Sequence, residues 1–158
     1  MCCYSRENSS KVINEDLTVY KVYIQRQVFN TDTNYIYLSP FYRDTTYKSG
    51  KTYCSDVFEY NVKSEFRYFA SEVEKEFGPN RICYGFHSFK NKSDAVALSE
   101  LLEKAAIIDK REDEKFVVMV CTIPSGTDIY EGNSYFGISF GLTPESYVSE
   151  KIIINSLA

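Results

Sequence analysis

The sequence lacks the local pairs of ligands that structural zinc sites need and the cysteine pattern of a disulfide framework. It contains one histidine, His87, no tryptophan, and five cysteines without a regular spacing. A structural zinc site needs four ligands in local pairs, and the spacing Cys83-x-x-x-His87 has no second pair. We therefore expect no metal ion, no cofactor, and reduced thiols instead of a disulfide framework. The cysteines are Cys2, Cys3, Cys54, Cys83 and Cys121.

Long apolar runs, clustered basic residues and phosphate-binding loops are also missing. Residues 1–10 contain no apolar core of a signal peptide, and no stretch is long enough to span a bilayer, so we expect a cytoplasmic protein. The formal net charge of −4 does not fit a DNA- or RNA-binding surface, but it permits binding to a basic protein surface. Residues 131–141 contain glycines without the spacing or the lysine of a P-loop.

Aromatic residues, in contrast, are abundant. They make up 16% of the chain, with 14 tyrosines and 11 phenylalanines. A tyrosine ring packs well on a half-buried sheet face while its hydroxyl stays hydrated, and the same property suits recognition surfaces. Sheet packing explains most of these residues, and a recognition surface is the further possibility.

Hydrophobic patterning predicts several strands. Residues 17–29 place β-branched and aromatic side chains in near alternation, and residues 35–40 form a second strand that Pro40 ends. Residues 116–123 are continuously apolar, which predicts a central strand covered on both faces. Residues 147–155 read as a last strand.

Two segments have the periodicity of helices. Phe66, Phe69 and Val73 belong to an apolar stripe that predicts a helix over residues 64–77, and a second helix is expected to begin near Ser93. We therefore predict an α+β fold, with a mixed, mostly antiparallel sheet of about five to seven strands and two main helices. We expect a flexible N-terminal arm over residues 1–16 and a single domain over residues 17–158.

His87 stands at the end of a short predicted strand that Gly85 interrupts. Cys83 lies on the same face of an extended strand but two pleats away, too far for direct proton transfer unless the chain bends at Gly85. A nucleophilic Cys–His arrangement stays open on that condition. The simpler hypothesis is that the imidazole hydrogen-bonds a backbone carbonyl and fixes the bend before the next helix.

Short motifs, in their order along residues 19–154, resemble a diffuse group of small phage and bacterial mobile-element proteins of unknown function. The motifs are Tyr47-x-x-Gly50-Lys51, the element Gly85–Phe89, the helix start Asp94–Ala95, and the turn Ile123–Gly126. The resemblance implies a viral or mobile-element protein acting in a bacterial cytosol. Small acidic domains of that setting are often inhibitors of host defence proteins, anti-CRISPR proteins among them.

The same succession of strands is also similar to ADP-ribosyltransferase folds. That resemblance implies an NAD-contacting residue at Tyr20 or Lys21, a serine at Ser88, and a catalytic glutamate at Glu150, which would stabilise a developing oxocarbenium charge. The Ser-Thr-Ser triplet of that group is missing, and the first strand has no matching arginine or histidine.

Our leading hypothesis is a non-catalytic protein-binding domain that inhibits or modulates a larger host complex. An acidic, tyrosine-rich surface would suit a basic nucleic-acid-binding groove of that complex, with no direct contact to nucleic acid or membrane. The alternative is a small enzyme, a transferase or hydrolase, with a site around His87, Ser88 and Glu150. The candidate binding residues are Tyr42, Arg43, Tyr47, Tyr130, Tyr135 and Phe136.

Overall fold

A computed structural model describes residues 2–7, 9–29, 34–41, 45–62, 80–111, 113–135 and 143–158. These residues form twelve strands, one α-helix and one short 3₁₀ helix. The strands are β1 (Cys2–Ser5), β2 (Lys11–Val12), β3 (Leu17–Gln27), β4 (Tyr35–Leu38), β5 (Thr46–Tyr47), β6 (Lys51–Cys54), β7 (Asn80–Ile82), β8 (Phe86–Phe89), β9 (Lys115–Ile123), β10 (Asp128–Tyr135), β11 (Glu145–Ser149) and β12 (Lys151–Leu157). The helix α1 is Lys92–Ile108, and the 3₁₀ helix is Phe58–Val62.

All the described strands belong to one sheet, and every pairing among them is antiparallel. The main order is β6-β12-β9-β3-β8-β11-β10-β1-β7, with β2 on β10, β4 on β3, and β5 on β4. The longest ladder joins β3 to β9 in continuous register from Leu17–Ile123 to Gln25–Lys115. The pair forms the middle of the sheet, as the apolar run at residues 116–123 predicts.

The prediction of an α+β fold with two main helices is wrong, because the described residues form a largely β structure with a single α-helix. The helix predicted at residues 64–77 lies outside the described residues. Several strands are only two to four residues long. A segment of that length is too short to show a period of two, so pattern analysis assigns it to a loop. Residues 1–16, expected to be a flexible arm, contribute β1 and β2 to the sheet.

The two faces of β3 bury different clusters. Val19 and Tyr23 lie on one face, here called the inner face, in a cluster that also receives side chains from β9, β10, β11 and β12. Strands on both sides of β3 therefore share this one cluster. Val22 and Ile24 lie on the opposite face and pack with α1 through residues such as Leu98. Burying each such aliphatic side chain contributes roughly 1.5–3 kcal/mol.

The helix α1 begins directly after β8. Asn91 takes the N-cap position in an extended conformation, two residues before Ser93, near which the helix is predicted to begin. At the other end, the Arg111 amide donates to the carbonyl of Ala106, and Lys110 has a positive φ of 58°. This closing turn satisfies carbonyls that a helix end would leave without donors. Within the described ranges, no helix combines the length and apolarity that crossing a bilayer requires.

Candidate functional site

The candidate site lies at a fork along one edge of β3. The other edge of this strand pairs continuously with β9. On the forked edge, β8 pairs only at Tyr20, and β4 pairs only from Ile24 to Gln27. Residues 21–23 therefore have no ladder partner on this edge among the described strands. The neighbouring strands diverge here, and a cleft opens between them.

The cleft has a volume of about 490 Å³. This value lies within the range of roughly 300–1,000 Å³ that is typical of ligand sites. Four separate parts of the chain meet around it: β3, the segment between β4 and β5, the region of β6, and the bend before β8. The lining comprises Lys21, Ser39, Phe41, Thr45, Tyr47, residues 53–57 and residues 83–87.

Lys21 provides the positively charged group of the cleft, and Asp56 also lines the cleft but forms no ion pair with Lys21. The alternation of β3 places Lys21 between Val19 and Tyr23 on the otherwise apolar inner face. Its Nζ donates a hydrogen bond of 2.7 Å to the backbone carbonyl of His87 and lies 5.6 Å from the ring centroid of Tyr23. Within the described residues, no carboxylate forms an ion pair with it. A partly buried ammonium group without a counter-charge is unfavourable, so its presence calls for a functional explanation.

Burial changes the proton affinity of this amine. It lowers the pKa of Lys21 from 10.5 to about 8, while Cys121 nearby acts in the opposite direction to a smaller extent. The Cys121 thiol is itself neutral at physiological pH, since burial raises its pKa to about 12. At neutral pH the cleft therefore holds a mostly protonated amine that releases its proton far more readily than a surface lysine does.

An aromatic cluster forms the wall above Lys21. The Tyr47 ring lies 5.4 Å from that of Tyr23, 4.9 Å from that of Tyr53 and 6.4 Å from that of Phe86. Tilted and edge-on contacts of this kind stabilise a packed arrangement beyond the area that they bury. The Tyr53 hydroxyl also accepts a hydrogen bond of 2.7 Å from the Lys48 amide. The wall is thus fixed by packing on several sides.

The rim of the cleft is apolar and exposed. Phe41, Val57 and Tyr84 line it and are 42%, 38% and 44% exposed. The Tyr84 ring also contacts the exposed Tyr60 ring at 6.3 Å. Exposed apolar side chains grouped around a concave site mark a surface that is suited to binding a ligand.

His87 hydrogen-bonds a backbone carbonyl, as predicted, but the bend that it stabilises lies between β7 and β8 and not directly before the helix. Its Nε2 donates to the carbonyl of Ile82 at 3.1 Å. Burial, together with the charge of Lys21, lowers the pKa of His87 from 6.5 to about 3, so the ring is neutral near pH 7. The bend also needs Gly85, whose φ is 119° and whose added Cβ would come within 2.9 Å of the carbonyl of Ser149. This imidazole is therefore a structural group and is not poised to exchange protons at neutral pH.

The three residues proposed for an enzyme site do not meet in the cleft. His87 and Ser88 are adjacent in β8, so their side chains point to opposite faces of the sheet, and Ser88 is buried. Glu150 lies between β11 and β12, where its amide donates to Asp128 and its carbonyl accepts from the Ser55 amide. Of the three, only His87 lines the cleft.

The proposed binding residues are distributed differently. Tyr47 belongs to the cleft wall. Tyr130, predicted to contact a partner, is a β10 residue that is 1% exposed and therefore inaccessible to a partner. Tyr135 ends β10, and its side chain lies outside what the structure describes, as do Tyr42, Arg43 and Phe136.

Sequence reasoning considered Lys21 only through a resemblance and did not identify the aromatic rim. One signal was present: a lysine at an inward-facing position of a strand whose neighbours on that face, Val19 and Tyr23, are apolar. Comparison with protein families, with curated proteins and with solved structures finds no match. The function must therefore be argued from the geometry of the cleft.

Proposed function

We propose that this protein is a non-catalytic binding domain that holds a short acidic segment of a partner protein in the cleft above Lys21. The observation that carries the proposal is the Lys21 ammonium group at the base of an open, apolar-rimmed cleft without a carboxylate partner among the described residues. A ligand that supplies the counter-charge would complete the site.

The chemistry of Lys21 favours a carboxylate. An ammonium group has three N–H donors, and the His87 carbonyl accepts one of them. A carboxylate that reaches the cleft base would accept from the others. Such charge-assisted hydrogen bonds are stronger in a partly desolvated site than on an open surface.

The rim favours an apolar or aromatic residue beside that carboxylate. Phe41, Val57 and Tyr84 present exposed apolar surface at the entrance, and Tyr60 extends it beyond the cleft. Aromatic residues are enriched at protein–protein contacts, where they bury a large area with few rotatable bonds. A surface that continues outside the cleft suits a polypeptide better than a small enclosed molecule.

The wider setting is part of the same proposal. We place the protein in the cytoplasm of a bacterial host, as a phage or mobile-element protein that inhibits or modulates a host defence complex. The sequence resemblance supports this setting, and the exposed thiol of Cys54 is compatible with a reducing compartment. The formal charge of −4 would help the rest of the surface to approach a basic partner groove. The transferase alternative draws no support from the positions of Ser88 and Glu150.

A peptide-display selection on the full-length protein tests the proposal. The library should present internal acidic residues and free carboxyl termini, with counter-selection on Lys21→Met. We expect enriched peptides to combine a carboxylate with a neighbouring aromatic or large aliphatic residue. In fluorescence polarisation they should bind Lys21→Met about tenfold or more weakly, the amount expected for one charge-assisted hydrogen bond.

Two outcomes would contradict it. Selected peptides that bind wild type and Lys21→Met equally would show that the cleft base is not the recognition site. Failure to enrich any peptide, together with binding of a free aromatic acid such as benzoate, would replace the protein partner by a small molecule.

A further inference from the structure

The amine of Lys21 occupies a position that suits covalent as well as ionic chemistry. It lies at the base of a cleft that is open to solvent, and no carboxylate among the described residues forms an ion pair with it. The Tyr23 ring lies beside it at 5.6 Å, and the surrounding face is apolar. A lysine in an apolar pocket is a nucleophile toward carbonyl compounds.

We propose that Lys21 is a reactive amine that captures a small aldehyde in the cleft as a reversible imine. This activity is separate from the binding of a partner segment, and either of the two can fail without the other. The class of ligand is an aldehyde with an apolar or aromatic body, because Phe41 and Tyr84 line the entrance.

The bond changes are those of an ordinary condensation. The unprotonated Nζ attacks the carbonyl carbon, so that a C–N bond forms as the C=O π bond breaks, and one proton moves from nitrogen to the carbonyl oxygen through solvent to give a carbinolamine. The C–O bond of the carbinolamine then breaks, its hydroxyl group leaves as water with the second proton of the nitrogen, and a C=N bond remains. No electron donor or acceptor is needed, and water reverses the reaction.

The contacts of Lys21 favour this reaction over the same reaction at surface lysines. The hydrogen bond to the His87 carbonyl uses one N–H and leaves the lone pair of the neutral amine for the ligand. The lowered pKa of about 8 makes the neutral form far more abundant at pH 7.5 than on an exposed lysine. Lys51, which is exposed on strand β6, is the internal comparison.

The test is reductive trapping on the full-length wild-type protein. Benzaldehyde and sodium cyanoborohydride are added at pH 7.5, and peptide mass spectrometry follows the modification of each lysine over time. We expect Lys21 to be modified at least about tenfold faster than Lys51 in the native protein. The preference should vanish in concentrated urea, where both amines are equally exposed, and the Lys21→Arg variant should lose the fast-reacting site.

A pair of aldehydes checks the role of the rim. Phe41→Ala should slow the trapping of benzaldehyde at Lys21 more than it slows the trapping of formaldehyde, which has no apolar body to hold. If Lys21 in the native protein reacts no faster than Lys51, or if the preference persists in urea, the inference is overturned. The comparison of Lys21 with Lys51 is made on the wild-type protein, so it does not depend on whether any variant folds.

Discussion

The Lys21 ammonium group donates to the backbone carbonyl of His87 at 2.7 Å, across the gap where β3 and β8 separate. In a continued antiparallel ladder this carbonyl would face the backbone of β3, since Tyr20 pairs with Phe89 two residues away. A side chain therefore replaces the ladder at the base of the cleft. This contact links His87, which stabilises the bend, to Lys21, which we propose contacts the ligand.

The first prediction concerns the bend itself. Gly85→Ala should destabilise the protein by about 2–4 kcal/mol, because the residue has a positive φ and its Cβ would meet Phe58, Val148 and Ser149 at 2.9 Å. Gly126→Ala is the matched control, since it also has a positive φ but no atom within 4 Å of its Cβ. It should cost only about 1–2 kcal/mol. Equal losses in urea unfolding would argue against close packing at the bend.

The second prediction concerns the pH dependence that His87 contributes. The pKa of its buried ring is about 3, against 6.5 in the unfolded chain, so the unfolded state binds more protons between these values. The stabilisation of the folded state that comes from the neutral His87 ring is complete above pH 6.5. It decreases as the pH falls toward 3, by up to about 1.4 kcal/mol per pH unit. His87→Gln should be less stable than wild type at pH 7, and the difference should shrink on acidification. Parallel stability curves of the two proteins from pH 7 to pH 4 would contradict this assignment.

The third prediction separates rim residues from other exposed aromatics. Phe41→Ala should change the free energy of unfolding by less than about 0.5 kcal/mol, because the side chain is substantially exposed, yet it should weaken binding of a selected peptide about tenfold. Phe29→Ala is the control, since Phe29 is 91% exposed and does not line the cleft. A similar loss of affinity in both variants would show that the rim has no special role.

The fourth prediction concerns the pH dependence of binding. If a carboxylate pairs with the Lys21 ammonium group, affinity should be constant below pH 7 and fall as the pH rises through about 8. Calorimetry with one acidic peptide at pH 6.5 and at pH 9.5 measures this change. Lys21→Arg, which keeps its charge at both pH values, is the control and should show no such fall. An unchanged wild-type affinity at pH 9.5 would rule out the ionic contact.

Much of the sheet could be predicted from local pattern. The alternation along β3 and the apolar run of β9 each identify a long strand, and both strands form the middle of the sheet. The break at Gly85 and the hydrogen bond from His87 to a backbone carbonyl were also predicted from the sequence. These features depend on neighbouring residues in the chain, which is why sequence alone reveals them.

The remaining features depend on contacts between distant segments. Residues 147–155 read as one strand, but the chain changes partners at Glu150, leaving β10 and β8 for β9 and β6. The cleft forms only where β3, β6 and β8 come together in the fold. No short sequence motif predicts that these three strands lie near one another. A lysine at an inward-facing position of an otherwise apolar strand face was the one local signal of the site.

The central claim is that the Lys21 ammonium group destabilises the fold and is retained for a ligand. Urea unfolding of Lys21→Met and wild type, at pH 7 and at pH 10.5, tests it most directly. Because Lys21 binds more protons in the unfolded state than in the folded state between pH 8 and 10.5, the contribution of this residue to wild-type stability should rise over that range. The account predicts that Lys21→Met is about 1–3 kcal/mol more stable than wild type at pH 7, and that the difference shrinks toward pH 10.5. A Lys21→Met protein that is less stable than wild type at pH 7 would contradict it.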